Sequence, residues 1–207
     1  MNTSKKIRQL IRLAILVAII FLLSFVRPLK LTLVQIPVII GATLLGPSAG
    51  AILGFFFGLS EYIQALEGAQ LLTTSALNYA PLAYTIVCFI PRILMGWLTG
   101  LFAAHLKKVS VMQRSKQKKF LTGGILQHGL IGFVGSMLNT ILYLGSFLLL
   151  LKEVLSSADT TGLGVVGYVL VLVLFFGLAE AVVSALVVPA VCRAMEVIFR
   201  RQPTPTH

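Results

Sequence analysis

The hydrophobic residues of this chain fall into long runs that are separated by short polar segments. A helix needs about 20 apolar residues to cross the hydrocarbon core of a bilayer. The runs predict helices over residues 10–26, 34–45, 49–66, 80–106, 120–151 and 165–199, joined outside by loops over 67–78 and 151–164. The second run is short for a span, and the last exceeds one. We therefore predict an all-α integral membrane protein, a single bundle of six transmembrane helices over residues 1–207 with a flexible tail at 200–207.

One segment combines two of these runs with regularly spaced glycines. Gly46 and Pro47 separate the runs and predict a tight turn, and Gly50, Gly54 and Gly58 follow at intervals of four residues. Residues four apart lie on one face of a helix, where small residues let a second helix approach closely. Because lipid is as apolar as leucine, such close contact drives much of helix association in membranes. The four glycines are therefore predicted to serve helix packing.

Composition and charge support a membrane protein and predict its orientation. Hydrophobic residues make up 57% of the chain and charged residues 11%, which is too apolar for a soluble domain of this size. Of the 17 Lys and Arg residues, 13 lie near the N-terminus, within 107–119 or near the C-terminus. Basic clusters beside spans stay in the cytoplasm, so both termini are predicted to be cytoplasmic, in agreement with six spans. No basic face with interleaved aromatic residues remains for binding nucleic acid.

Motifs for catalysis or metal binding are missing from the sequence. The two cysteines, Cys88 and Cys192, lie within apolar runs and form no CxxC motif or His/Cys cluster. There is no HExxH motif, and Ser136 lies in GFVGSML rather than in a GxSxG nucleophile turn. A GxxxxGK[ST] phosphate-binding loop is absent too, so any ATP hydrolysis has to come from partners. We expect no enzyme activity, no metal and no cofactor.

Three polar side chains lie deep within the predicted spans. Counted from the outer helix ends at 1.5 Å per residue, Arg92 and Asn139 lie at ~18 Å and Glu180 at ~22 Å, so we expect a similar depth. Charged groups there cost ~2.5–3.5 kcal/mol on insertion scales and are candidate functional residues. Arg92 and Glu180 either contact a ligand or neutralise each other as an ion pair. Pro91 also leaves a carbonyl of the preceding turn without its helical partner.

Several segments together resemble a known family. IPVIIGATLLGP followed by SAGAILGFFFGL, the six predicted spans and the basic N-terminus resemble the substrate-binding S components of energy-coupling factor (ECF) vitamin transporters. The segments PRILMGWLTGL at 91–101, GSMLNTILYLG at 135–145 and AEAVVSALVVPAV at 179–191 are most similar to the pantothenate-specific S components. The resemblance covers essentially the whole chain.

The resemblance implies a subunit of an importer in the plasma membrane of a prokaryote. Such a subunit binds a vitamin from outside with high affinity, docks on a transmembrane coupling subunit that is joined to two ATPases, and topples to release the vitamin inside. Pantothenate is the implied ligand, with folate, riboflavin, thiamine and biotin as alternatives. A stand-alone carrier or an intramembrane enzyme is a further alternative.

Small residues of the first helix meet the coupling subunit in this family. Ala14 and Ala18 match that pattern here, four residues apart on one face. The alternative is ordinary packing inside the bundle, because pairs of small residues at this spacing are common in membrane helices.

Pantothenate carries a carboxylate, an amide and two hydroxyl groups, and the deep polar residues match these groups. Arg92 can hold the carboxylate, Asn139 can pair with the amide, and Glu180 can accept from the hydroxyls. Tyr143, one turn outward from Asn139, is a candidate lining residue. The remaining candidate ligand contacts are Asn78 and Tyr79 before the fourth helix and Gln35 at the start of the second. For these three, a helix cap or an interfacial aromatic residue is the alternative.

Overall fold

Apolar runs become helices throughout the part of the chain that the computed structural model describes, residues 3–25, 33–113, 122–158 and 164–200. Side chains are described for 6–25, 33–108, 124–158 and 164–195. The helices are α1 (Thr3–Phe25), α2 (Gln35–Leu45), α3 (Pro47–Leu66), α4 (Leu71–Tyr79), α5 (Pro81–Gln113), α6 (Thr122–Leu150), α7 (Lys152–Ala158), α8 (Gly164–Leu172) and α9 (Leu178–Arg200). The basic segment 114–119 and the predicted tail from residue 201 onward lie outside the described residues.

Five of the described helical segments are long and apolar enough to cross a membrane. They are Lys6–Phe25, Pro47–Leu66, Pro81–Lys108, Gly124–Leu150 and Gly164–Met195. Each corresponds to one of the predicted runs. The remaining run, α2, has only 11 residues and is shorter than a full span.

The short helix α2 lies at the centre of the bundle. Nine of its residues, 35–43, are buried, and it contacts α1, α3, α5, α6 and α9. A helix that is apolar on all sides is stable only when it is surrounded by other helices. Gln35, at the start of this helix, is buried within the bundle.

The turn between α2 and α3 depends on a single glycine. Gly46 has φ of +101°, a conformation that costs little only for glycine, and Pro47 starts α3 in the first turn, where proline is tolerated. A side chain added at Gly46 would meet nothing within 4 Å. Gly46 therefore has a conformational role in this turn, and its backbone also lies against Gly100 of α5, so the predicted packing role stays a prediction.

The other three glycines of this segment lie against α5. A Cβ atom at Gly54 would overlap the carbonyl oxygen of Arg92, and Gly50 and Gly58 lie in the same way against Gly96 and Cys88. As residue numbers rise along α3 they fall along α5, so the two helices pack antiparallel with backbones in close contact. This contact fixes the position of Arg92 relative to α3.

The last span is one long helix with an irregular turn. Residues 173–177 form a π-helical turn between α8 and α9, and the residues on both sides keep helical dihedral angles. A methyl group added to Gly177 in this turn would overlap the side chain of Thr140 on α6. Such π turns insert a residue into a helix and are frequent at functional sites. Here the turn precedes Glu180 by three residues.

Both outer connections contain short helices where the sequence predicts loops. Helix α4 (Leu71–Tyr79) falls in the predicted loop 67–78, and α7 (Lys152–Ala158) falls in 151–164. The buried side chains of these helices join one apolar cluster with the outer parts of α3, α5 and α6. That cluster contains Ala76 and Leu77 of α4 and Val154 and Leu155 of α7. The loop predictions are wrong because a few buried side chains stabilise helices that carry no long apolar run.

Candidate functional site

Arg92 of α5 is a buried charged residue that contacts neighbouring helices. Its side chain is only 2% exposed, and Nη2 donates to Oε2 of Glu61 on α3 at 3.2 Å. The guanidinium carbon lies 3.9 Å from the ring centre of Tyr143 and 5.1 Å from that of Phe57. A cation between aromatic faces gains from the negative charge of those faces, most strongly where water is excluded. Side chains of two neighbouring helices, α3 and α6, therefore hold this guanidinium in place.

Pro91 contributes to the same arrangement. A proline cannot donate to the carbonyl four residues earlier, which here belongs to Val87. Nη1 of Arg92 donates to that carbonyl oxygen at 3.2 Å. The prediction that Pro91 releases a carbonyl is confirmed, and the adjacent arginine satisfies it. Nε of Arg92 is buried and has no hydrogen-bond partner among the described residues.

A second polar group lies deeper and is organised by Gln35. Its Nε2 donates to Oγ of Ser136 at 2.8 Å and to Oε2 of Glu180 at 3.2 Å. The side chain of Gln35 is 1% exposed and makes no capping hydrogen bond to the first turn of α2. The helix-cap alternative for Gln35 is therefore wrong. Its side chain joins α2, α6 and α9 at one point.

The expectation that Arg92 and Glu180 lie at one depth is wrong. Arg92 stacks on Tyr143, whereas Glu180 shares the amide of Gln35 with Ser136. Residues 143 and 136 are seven positions apart on α6, or about 10 Å along the helix. Counting from helix ends assumes that all helices begin at one level, whereas the contacts between helices set the true depth.

The alternative in which Arg92 and Glu180 form an ion pair is wrong for the same reason. The carboxylate that binds Arg92 is that of Glu61. Glu180 instead accepts from Gln35 at the deeper level.

A stripe of polar residues on α6 connects the two levels. Tyr143, Asn139 and Ser136 are spaced by four and three residues, so they lie on one face of the helix. Asn139 is buried, and its Oδ1 has no hydrogen-bond partner among the described residues. The same holds for Oε1 of Gln35. Buried polar atoms without partners cost about 1–3 kcal/mol each, and a polar ligand that paired with Nε of Arg92, Oδ1 of Asn139 and Oε1 of Gln35 would remove that cost.

The arrangement suits an elongated ligand with one anionic end. Nε and Nη2 of Arg92 form an edge that matches a carboxylate at the outer level. The amide of Asn139 can both donate and accept in the middle, and the carbonyl of Gln35 and the carboxylate of Glu180 accept at the deep level.

The other predicted contacts lie away from this line. Asn78 and Tyr79 form the last turn of α4 and are exposed, with Tyr79 59% exposed. The structure does not bring them to the buried polar stripe among the described residues. Ala14 and Ala18 are exposed on α1, so the alternative of packing inside this bundle is wrong for both.

Two residues of the site, Glu61 and Ser136, are missing from the sequence-based set. Glu61 follows Gly58 by three residues and therefore continues the glycine stripe that faces α5. That spacing was a usable signal for a carboxylate beside the helix of Arg92. For Ser136 the signal was its position on the Asn139 and Tyr143 face of α6.

A separate apolar groove lies on the side of the bundle. It has a volume of about 530 Å³ and runs between α1, α2 and α9. Its lining includes Ile15 and Ile19 of α1, Ile36 of α2 and Val187 of α9. Both isoleucines of α1 are 36% exposed or more. The groove is thus an apolar surface separate from the buried polar stripe.

Comparison with known proteins identifies a family and a relative. The model of a family described as "ECF transporter, substrate-specific component" matches residues 8–192. The pantothenic acid transporter PanT of Lactococcus lactis subsp. cremoris (strain MG1363) is 27% identical over 179 residues, which cover 81% of this chain and 79% of the relative.

Proposed function

Because this chain belongs to the family of ECF-transporter substrate-specific components, we propose that it binds pantothenate outside the cell and delivers it to an ECF module. The family makes the chain a membrane transport subunit. The choice of vitamin draws on the similarity to a relative named as a pantothenic acid transporter. It also draws on the chemistry of the buried polar stripe.

The observation that carries the proposal is the spacing of polar groups along α6. The polar groups form three levels that together cover about 10 Å of helix length. The levels are Tyr143 with Arg92, then Asn139, and then Ser136 with Gln35 and Glu180. An extended pantothenate has its carboxylate and its terminal hydroxyl roughly 10 Å apart, given ordinary covalent bond lengths. Its amide lies between them, as the side chain of Asn139 does.

Each end of the vitamin then meets a complementary group. The carboxylate binds the Nε and Nη2 edge of Arg92, which gives the strongest kind of hydrogen bond available to it. The hydroxyl groups donate to Oε1 of Gln35 and to Glu180, and the amide pairs with Asn139. These contacts would satisfy three of the eight buried side-chain atoms that have no hydrogen-bond partner among the described residues.

The outer rim completes the proposed site. Asn78 and Tyr79 lie at the exposed end of α4, above the first turn of α5. We place them at the entrance, where they meet the vitamin before it enters the bundle.

Docking on the coupling subunit is proposed for the exposed face of α1. Ala14 and Ala18 lie on this face, which lets a helix of the partner approach closely. In the full proposal α2 counts as the sixth span and both termini are cytoplasmic. The partner brings two ATPases, docking makes this subunit topple, and the complex resides in the plasma membrane of a prokaryote.

Calorimetry on the detergent-solubilised protein tests the proposed ligand. Pantothenate, folate, riboflavin, thiamine and biotin are titrated in turn into the purified full chain. We expect one-site binding of pantothenate that is at least roughly 100-fold tighter than binding of the other four, equivalent to about 2.7 kcal/mol.

Tight binding of another vitamin alone would assign the chain to that vitamin. The transport arrangement is tested separately in vesicles. Uptake of pantothenate by the chain alone, without the coupling subunit and ATPases, would show a stand-alone carrier and contradict the proposed module.

A further inference from the structure

Glu61 occupies the place that the proposed ligand carboxylate needs. It binds Nη2 of Arg92 through one oxygen at 3.2 Å, while Nε on the same edge has no partner among the described residues. A carboxylate that approaches this edge head-on makes two parallel hydrogen bonds. Glu61 therefore makes only part of the interaction that the arginine edge can offer.

Charge balance prevents both carboxylates from remaining at this position. Arg92 and Glu61 together are neutral, and adding an anionic ligand leaves one net negative charge inside the membrane. Uncompensated charge is costly there, and two carboxylates a few ångströms apart repel each other. Departure of one carboxylate from the arginine removes both costs.

Glu61 is the more exposed member of the ion pair. Its side chain is 11% exposed, compared with 2% for Arg92. It lies five residues before the outer end of α3 at Leu66, a distance of about 8 Å. A change of side-chain rotamer can therefore return the carboxylate to solvent, whereas Val87 and Tyr143 hold the guanidinium in place.

We infer that Glu61 is an internal counter-ion of Arg92 that the carboxylate of the ligand displaces. In the empty protein it neutralises a cation that would otherwise lie unpaired in the membrane. When the ligand binds, its carboxylate replaces Glu61 as the acceptor of the hydrogen bond from Nη2 and also accepts a hydrogen bond from Nε. Glu61 then moves toward water. Glu61 thereby favours ligands that carry a carboxylate, since a ligand without one cannot displace it from Arg92. This inference rests on the proposed function.

The test compares a charged and an uncharged ligand on matched variants. Glu61→Gln removes the competing charge, and Glu67→Gln removes the same charge from the exposed end of α3 as a control. The ligands are pantothenate and panthenol, its analogue with an alcohol in place of the carboxylate. Affinities are measured by calorimetry on the full chain in detergent.

We expect Glu61→Gln to bind pantothenate roughly tenfold more tightly than the wild type, because the repulsion and the competition for Arg92 are removed. Panthenol affinity should change less than about twofold, since panthenol leaves the counter-ion in place. Glu67→Gln should match the wild type with both ligands. If Glu61→Gln weakens pantothenate binding or leaves it unchanged, Glu61 is not a displaced counter-ion.

A measurement on the wild type covers the case in which the variant does not fold. Difference infrared spectra are recorded with pantothenate labelled with ¹³C in its carboxylate, which separates the ligand band from protein bands. We expect a shifted protein carboxylate band on adding pantothenate and none on adding panthenol. Binding without such a shift overturns the inference. A wild type that does not bind pantothenate at all would instead refute the proposed function.

Discussion

At the scale of single residues, Arg92 shows how a charge is accommodated inside a membrane. Its guanidinium is paired with Glu61, bonded to the carbonyl of Val87 and stacked on Tyr143. Each contact compensates part of the cost of removing the cation from water. The same contacts fix the direction in which the unused Nε donor points. In the proposed function, this donor and Nη2 together bind the carboxylate of the ligand.

Replacing the guanidinium should remove the preference for a charged ligand. We expect Arg92→Gln to weaken pantothenate binding roughly 100-fold, because a charge-assisted bidentate contact in a desolvated site is worth about 2–5 kcal/mol. Panthenol binding should fall only a few-fold, about 1 kcal/mol or less. Both affinities are measured by calorimetry.

Arg193→Gln serves as the matched control, since it removes an equal charge at an exposed position of α9. It should leave both affinities unchanged. Equal losses for pantothenate and panthenol in Arg92→Gln would mean that the arginine supports the structure of the site rather than the carboxylate. Wild-type affinity for pantothenate would remove Arg92 from the site.

The sequence was sufficient to select single residues but not to pair them. Arg92, Asn139 and Glu180 are recognisable because polar groups are costly at membrane depth. Their partners depend on which turns of neighbouring helices face each other. The close contact at Gly54 sets α3 against α5 and brings Glu61 to Arg92. A count of residues from helix ends contains no such information.

At the scale of helices, the contact between α3 and α5 is the rigid frame of the outer site. Gly54 lies against the backbone of Arg92 itself, so any change in helix separation moves the arginine. Backbone carbonyls cannot rotate away as flexible side chains do. The packing of these two helices and the geometry of the site are therefore coupled.

Adding one methyl group at this contact should destabilise the bundle. We expect Gly54→Ala to lower the free energy of unfolding by about 1–3 kcal/mol, the usual cost of overpacking, because its Cβ would overlap the carbonyl of Arg92. The transition is followed by thermal unfolding of the ligand-free protein in detergent. Pantothenate binding should weaken as well, since Arg92 shifts with its backbone.

Gly145→Ala on α6 is the matched control. A Cβ atom there would meet nothing within 4 Å, and alanine favours helix over glycine. This variant should be as stable as the wild type or slightly more stable. A Gly54→Ala protein with unchanged stability and affinity would show that the two helices can separate without cost.

The long helices were predictable, whereas the short ones were not. Runs such as 80–106 and 120–151 correspond to α5 and α6, because a membrane requires long apolar segments. Helices α4 and α7 have 9 and 7 residues, which is too short to be stable alone. They exist because side chains such as Leu77 and Leu155 pack in the outer apolar cluster. That stabilisation is tertiary and leaves no periodic signal.

At the scale of the whole molecule, the polar stripe and the apolar surface of α1 are separate. The stripe is enclosed by α3, α5, α6 and α9, with α2 at its deep end. Helix α1 is the least buried of the five long spans. Variants can therefore change the proposed docking face of α1 without changing the proposed ligand site.

Large side chains on α1 should block assembly without affecting the ligand. We expect the amount of coupling subunit that co-purifies with the double variant Ala14→Trp and Ala18→Trp to fall at least about tenfold. The reason is that the close approach of a partner helix needs small residues. Pantothenate affinity, measured by calorimetry on the isolated chain, should stay within about twofold of the wild type. Ala104→Trp, a change at an exposed position of α5, should assemble normally.

Normal co-purification of the double variant would place the docking surface elsewhere, whereas a parallel loss of pantothenate binding would show that α1 also shapes the site.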